Sequence, residues 1–366
     1  MKKSVLHVSA GGLSHGGVGS VIFSIVQPLY EQYDFGCVVF SVPYENEALF
    51  EQYGNLYRIN CYPTKGKRDY LELLTRPFKL YFGIRKICKN NHFDIVHCHN
   101  QADAFPCLLA AKHARVPMRI SHAHVGRSFR KKGLIEKLYK RFSHKLVSSI
   151  ATDRIACSQE AGELIFGDKP FDIVYNSTDL ERFSSEPIND SETKNFIHVG
   201  RFNYAKNQEF VIETFKEISD LMDNVHLFLV GYGTKEDTLK LEKMIHDLGL
   251  DDKVDMVRGD IVDVAEVYKK SEYMIFPSRF EGFGTVLVEA QAAGLSCYVS
   301  ERILQEINCG ALTYLNLSDG AKKWAEVIVA DIKSGNKKTC NKELLLRFGE
   351  EEICKQYAAL YNGEKL

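Results

Sequence analysis

The chain has 366 residues, of which 45% are hydrophobic and 26% charged; 47 Lys+Arg against 48 Asp+Glu give a formal net charge of −1. This is the composition of a globular protein of two or three domains, and it excludes a disordered chain, a collagen-like repeat and a small disulfide-stapled fold. The charge balance excludes a global basic field for nucleic acid, and no apolar run approaches the ~18 residues of a membrane span.

In chain order, the first strand is expected over 4–9. It is too short for a signal peptide and is broken by His7 and then Gly11-Gly12. Further strands are expected over 36–41, 94–98, 118–121, 154–156 and 172–175, with helical periodicity over 18–32 and 103–114. A polar stretch with one proline, 184–194, reads as an interdomain linker. Beyond it the alternation restarts: strands over 196–199, 226–230, 253–257, 273–276 and 297–300, helices over 208–219, 235–248, 262–270 and 285–293, and a helical tail over 342–361. The fold class is therefore α/β with two Rossmann-like halves: an N-terminal domain 1–183, a C-terminal domain 195–341, and a helical tail within 342–366. Two such domains facing across a cleft place ligands beyond the carboxyl ends of their strands. Ten cysteines, none in C-x-x-C spacing, read as buried free thiols of a reducing cytoplasm.

The strand ends carry the chemistry. Gly16-Gly17-Val18-Gly19 leads from the first strand into a helix, where bare backbone approaches a ligand and the helix terminus favours negative charge. It matches neither the dinucleotide fingerprint nor the P-loop, and a tight turn without ligand is the simpler alternative. His97-Cys98-His99 and His122-Ala123-His124 end two strands. No carboxylate or cysteine at metal spacing joins them, so no metal is expected; one histidine, His124 with His122 as its rival, is expected to meet a ligand. Between 127 and 145 eight basic residues face one acid, with Leu134, Ile135, Leu138 and Phe142 at helical spacing. This is either a solvated helix face or a helix for an anionic membrane surface.

In the second half, Gly200-Arg201 and Lys206-Asn207 put two cations in a loop before a helix, which by themselves read either as a grip for a diphosphate or as ordinary surface charge. The most informative stretch is Ser278-Arg279-Phe280-Glu281-Gly282-Phe283-Gly284 running into a helix that carries Glu289. Two carboxylates eight residues apart would lie about 12 Å apart along a helix. That exceeds the roughly 5–9.5 Å of glycosidase pairs and suits two points along one extended ligand such as a nucleotide sugar.

Glu281-x7-Glu289, together with Val199-Gly200-Arg201…Lys206-Asn207, Leu229-Val230-Gly231-Tyr232-Gly233 and Gly16-Gly17-Val18-Gly19, resembles the retaining family-4 glycosyltransferases of the GT-B fold, of the bacterial surface-polysaccharide type. The resemblance implies a nucleotide-sugar donor, a saccharide or lipid-linked saccharide acceptor, and no cofactor or metal. It implies that Arg201 and Lys206 hold the donor diphosphate. Glu281 would contact the transferred sugar with the backbone of Gly282, Phe283 and Gly284, and Glu289 would hold the ribose. Gly16 and Gly17 would approach phosphate or acceptor, the loop around 259–261 would edge the nucleobase, and the tail helix in 342–366 would cross back onto the N-terminal domain. His124 would be the catalytic histidine, and the protein would be cytoplasmic, at the inner membrane face. Asn176-Ser177-Thr178-Asp179 departs from the family's Asn-Gly-Ile/Val-Asp, and no Asp-x-Asp occurs. The rival readings are a sugar-nucleotide epimerase of the same fold and a silent scaffold. A dinucleotide oxidoreductase fits worst, since neither half carries the glycine fingerprint.

Overall fold

The computed structural model describes residues 2–9, 13, 17–40, 46–61, 70–100, 103–124, 134–184, 192–259 and 262–366, with backbone alone at 70–74, 134–138 and 140. It divides into two compact units, Met1–Ser177 with Glu350–Leu366, and Thr178–Gly349.

The first unit is built on a seven-stranded sheet in the order β3 (Gly54–Ile59), β2 (Tyr33–Phe40), β1 (Lys3–Val8), β4 (Ile95–Cys98), β5 (Met118–Ala123), β6 (Asp153–Ala156), β7 (Asp172–Ile173). Its central strands are β1, β2, β4 and β5, and every paired neighbour is parallel. β1 and β4 are side by side although three strands apart in sequence, so the chain reverses direction across the sheet between them. α1 (Val18–Leu29) and α14 (Glu350–Asn362) share one core with β1, β2 and β4: Val5, Ile22, Ile25, Phe35, Ile95, Ile353, Tyr357 and Tyr361 are all buried in it. α14 thus belongs to the first unit although it is the last helix of the chain.

The second unit repeats the plan with six parallel strands in the order β10 (Val254–Arg258), β9 (Val225–Gly231), β8 (Lys194–Val199), β11 (Tyr273–Phe276), β12 (Ser296–Ser300), β13 (Leu312–Leu315). β8 and β11 are its adjacent pair across the reversal. Phe196, Phe215, Leu227, Ile275 and Trp324 fill its core. Among the described residues no helix is long and apolar enough to cross a membrane.

Several expectations shift. The chain enters the second unit at 178, ahead of the stretch 184–194, because the short helix α7 (Leu180–Phe183) belongs there: Phe183 sets its ring edge-on to Tyr268, centroids 5.6 Å apart. Residues 185–191 lie outside the described ones. The tail is two helices, since α13 (Lys342–Leu346) stops before Gly349 and stays with the second unit. α5 covers Leu134–Ile150, and 127–133 lie outside the described residues. Cysteines are free throughout, all buried but Cys340, which is half-buried.

Candidate active site

In an open α/β sheet the crevice at the reversal is where helices on the two faces diverge, and ligands bind there beyond the strand ends. In the second unit that place lies beyond β8 and β11. The loop after β8 holds Arg201 and Lys206; the loop after β11 holds Glu281.

Backbone and side chains tie these loops together. The Arg279 N–H donates to Ala205 O at 2.8 Å, and its guanidinium donates to Tyr204 O at 2.9 Å while lying 4.3 Å from the Tyr204 ring centroid. Asn207 caps α8 (Gln208–Leu221) in the left-handed region and donates to Pro277 O at 3.1 Å. The sequence places Lys206 and Glu281 in separate motifs; the fold makes them an ion pair, with the ammonium 4.8 Å from the Phe276 ring. Arg201 is exposed and has no ion-pair partner among the described residues.

Beneath the loop lies a buried brace. His198 donates from Nδ1 to Ile275 O at 2.9 Å, which leaves Nε2 to accept from the Gln208 amide at 3.3 Å. Gln208 also donates to Arg201 O at 3.0 Å and accepts from the Asn203 N–H at 3.2 Å. Burial holds His198 down at about 4, so it stays neutral. Neither residue stood out in the sequence.

Glu281, Gly282, Phe283 and Gly284 lead into α11 (Thr285–Ala292). Gly284 caps this helix at φ +90°, a conformation that disfavours any side chain. Phe283 is buried edge-on to Phe348, centroids 5.7 Å apart. Glu289 is partly buried and accepts from the Tyr268 hydroxyl at 3.2 Å. Desolvation pushes its carboxyl up to about 7, against the opposing pull of that hydrogen bond and of the Arg182 charge. Arg182 is itself held at 2.6 Å from Asp263, the N-cap of α10 (Val264–Lys269). Tyr268 and Arg182 are the site's missed supports: Tyr268 lies in the helix expected over 262–270, and Arg182 just ahead of the polar stretch 184–194. Gly259 is described, but 260–261 are not.

The first unit fills the same place differently. Gly17 caps α1 at φ +62°, and Gly16 lies outside the described residues. Around the reversal stand five buried histidines. His7 Nδ1 is 3.0 Å from His99 Nε2, and His99 Nδ1 is 2.7 Å from His124 Nε2. His97 Nδ1 is 2.8 Å from the Tyr361 hydroxyl, and His97 Nε2 is 3.1 Å from His122 Nδ1. Burial lowers all five below their ordinary range, His7 and His124 to about 3, and for His97, His99 and His122 the neighbouring rings add to it. A ring nitrogen of each of His7, His97 and His99, and likewise of His99, His122 and His124, lies within 4.8 Å of the others. That spacing could seat a metal ion. Seven of the ten ring nitrogens instead meet another ring or Tyr361, and no Asp, Glu or Cys joins either trio among the described residues. A divalent charge buried there would have no carboxylate to offset it. The departure at 176–179 is visible too: Thr178 N–H donates to Phe348 O at 2.8 Å and Asp179 caps α7, while Asn176 Oδ1 and Ser177 Oγ are buried without partners.

Comparison with known proteins adds three findings. The family model described as "Glycosyltransferase Family 4" matches residues 15–182, and "Glycosyl transferases group 1" matches 180–303. The putative glycosyltransferase EpsF of Bacillus subtilis is 27% identical, over 95% of this chain and 93% of its own length. An Escherichia coli enzyme named UDP-Gal:alpha-D-GlcNAc-diphosphoundecaprenol alpha-1,3-galactosyltransferase is 27% identical over 62% of each chain. Among solved structures, Anabaena HepE in complex with UDP superposes with a TM-score of 0.79 at 18% identity, covering 99% of this chain and 100% of its own. That likeness extends to the fold.

Proposed function

The chain belongs to the family 4 and group 1 glycosyltransferases of the GT-B fold, and we propose that it moves a sugar from a UDP-sugar to a hydroxyl of a saccharide or lipid-linked saccharide, with retention at the anomeric carbon, in capsular or extracellular polysaccharide or glycolipid assembly. The observation that carries this reading is the meeting of Lys206 with Glu281 beside unpaired Arg201 at the sheet reversal of the second unit. The transition state of glycosyl transfer loads negative charge onto the departing diphosphate. Arg201 and Lys206 are fixed cations for it, and the N-terminus of α11 adds its dipole. A diphosphate competes with Glu281 for the Lys206 ammonium. The carboxylate so released is free to accept hydrogen bonds from the transferred sugar, aided by the backbone of Gly282, Phe283 and Gly284. Glu289 accepts the ribose hydroxyls. Gly16 and Gly17 approach phosphate or acceptor, and His124 or its neighbour His122 meets the sugar. The UDP in HepE's structure and the UDP-Gal and diphosphoundecaprenol in the E. coli relative's name support the choice of donor and of a lipid-linked acceptor.

The test is a panel of nucleotide sugars scored by thermal stabilisation. UDP-sugars are expected to raise the melting temperature, and Lys206→Ala to abolish the shift. A panel in which nothing stabilises the protein removes the reading. Release of UDP only when an acceptor is present separates transfer from epimerisation.

The same reading includes contact with an anionic membrane at the inner face. Phe78 and Phe82 on α3 (Tyr70–Asn91) and Phe142 on α5 are 59–66% exposed, and Arg141 and Lys145 beside Phe142 are exposed as well. Aromatic rings with basic neighbours suit the headgroup region of anionic lipid. Binding to anionic but not neutral vesicles is expected; equal binding removes this part.

A further inference from the structure

We propose that Tyr361 and His97 form a positioning relay that fixes His122 in the tautomer bearing its proton on Nε2, presenting that N–H as a donor to a substrate oxygen at the strand ends of the first unit. The use of the donor rests on the glycosyl-transfer reading; the relay itself does not.

A neutral imidazole has one N–H and one bare nitrogen, so a chain of such rings has two possible directions. In the first, Tyr361 donates to His97 Nδ1, His97 donates from Nε2 to His122 Nδ1, and the proton of His122 sits on Nε2. The single unmet group is then that N–H. In the reverse direction His122 donates to His97 and His97 to the Tyr361 oxygen. Two groups are then stranded: the Tyr361 O–H and the bare His122 Nε2. Tyr361 is fully buried, and its hydroxyl has no other partner among the described residues. A buried hydroxyl without an acceptor is costly, so the first direction wins.

The other chain lacks such an anchor. His7 Nε2 and His124 Nδ1 are both buried without partners, and His7–His99–His124 leaves the same kind of loose end whichever way it runs. Tyr361 is what distinguishes the two chains. It comes from α14, 264 residues beyond His97, which gives the return of the last helix to the first unit a chemical role besides packing. His122 Nε2 is buried without a partner among the described residues, one position before the end of β5. A satisfied chain ending in one orphaned, oriented donor at a sheet reversal is the arrangement that a ligand oxygen completes. The rings also stay neutral there, because burial keeps His97 and His122 well below their ordinary range.

The test is long-range proton–nitrogen spectroscopy of the full chain labelled with 15N-histidine, the two rings assigned from their loss in His97→Leu and His122→Gln. Both rings are expected neutral and protonated at Nε2 at pH 7. Tyr361→Phe should leave the protein folded and shift both rings to mixed tautomers. A proton on Nδ1 of either ring in the unmodified chain, or tautomers unmoved in Tyr361→Phe, overturns the relay. So does added Zn2+ that moves these resonances, because the lone pairs would then be free for a metal. With a transferred sugar in hand, Tyr361→Phe is expected to lower kcat/KM roughly ten-fold, the scale of one net hydrogen bond, without changing the affinity for UDP. An unchanged kcat/KM overturns the donor role. The tautomers stand or fall even if no nucleotide sugar stabilises the protein, so failure of the relay and failure of the transferase reading are distinguishable.

Discussion

The two units share a topology and differ in what they bury at the same place. At the reversal of the first sheet stand five neutral histidines, linked ring to ring and to a tyrosine. At the reversal of the second stand a lysine–glutamate pair, an unpaired arginine and a carboxyl tuned to about 7. The fold therefore fixes the place and leaves the side chains to decide its charge. The charged reversal suits an anionic diphosphate. The uncharged one suits hydroxyls, whose oxygens need oriented donors and no net charge.

Acid should break the symmetry most. A histidine held neutral by burial stabilises the fold above its unfolded value of 6.5, and that contribution is lost as pH falls toward the folded value, about 3 for His7 and His124. At pH 5 each such ring costs about 2 kcal/mol relative to neutral pH. Several together rival the whole margin of a domain. The second unit has His198 in this condition. Its Glu289 acts in the opposite sense, since a raised carboxyl favours the fold below 4.5 and loses that contribution as pH rises through about 7. Limited proteolysis at pH 5 should cut the first unit before the second; the reverse order breaks the comparison.

Next in size is charge removal in the second unit. Arg201→Ala or Lys206→Ala is expected to lower turnover by ~10²-fold or more, the loss typical of one preorganised charge-stabilising donor. Steady-state kinetics on both variants decides it, and unchanged turnover in both defeats the assignment of the diphosphate grip. Smaller again is the response to pH. If Glu289 accepts the ribose hydroxyls as a carboxylate, affinity for a UDP-sugar should rise roughly five- to ten-fold from pH 6 to pH 8 as the group ionises near 7. Calorimetric titration should show the slope in the native chain and a flat profile in Glu289→Gln.

What the sequence revealed follows the range of each interaction. Strand 273–276, the Gly282–Gly284 loop and Glu289 on the next helix lie within 20 residues, and local pattern sufficed to find them. β3 (Gly54–Ile59) escaped because an edge strand is half-exposed and lacks a continuous apolar run. α3 escaped because Pro77 interrupts its periodicity. The Lys206–Glu281 pair spans 75 residues, and in the sequence each side chain belongs to a separate motif, one pointing to diphosphate and the other to sugar. The histidine doublets at 97–99 and 122–124 were visible as strand ends. Their joining to His7 and Tyr361 was not, because nothing in the local sequence announces which strands the sheet order makes neighbours.

The finest test of the contrast is one hydroxyl. The Tyr268 hydroxyl shares its one proton between Glu289 Oε2 at 3.2 Å and Val286 O at 3.1 Å, from a fully buried position. A donor to a carboxylate favours its charged form, so this bond pulls Glu289 down against the desolvation that raises it. Tyr268→Phe keeps the ring that packs on Phe183 and removes that pull together with the bond to Val286 O, which carries no charge to titrate. The carboxyl of Glu289 should then titrate above 7, and affinity for a UDP-sugar should fall about two- to three-fold at pH 7, the reach of a shift of a few tenths of a unit. At pH 9, where the group is ionised in either protein, the two affinities should converge. In a Glu289→Gln background the Tyr268 substitution should leave no pH-dependent difference. A deficit that persists at pH 9 would mean that Tyr268 supports the helix and not the charge.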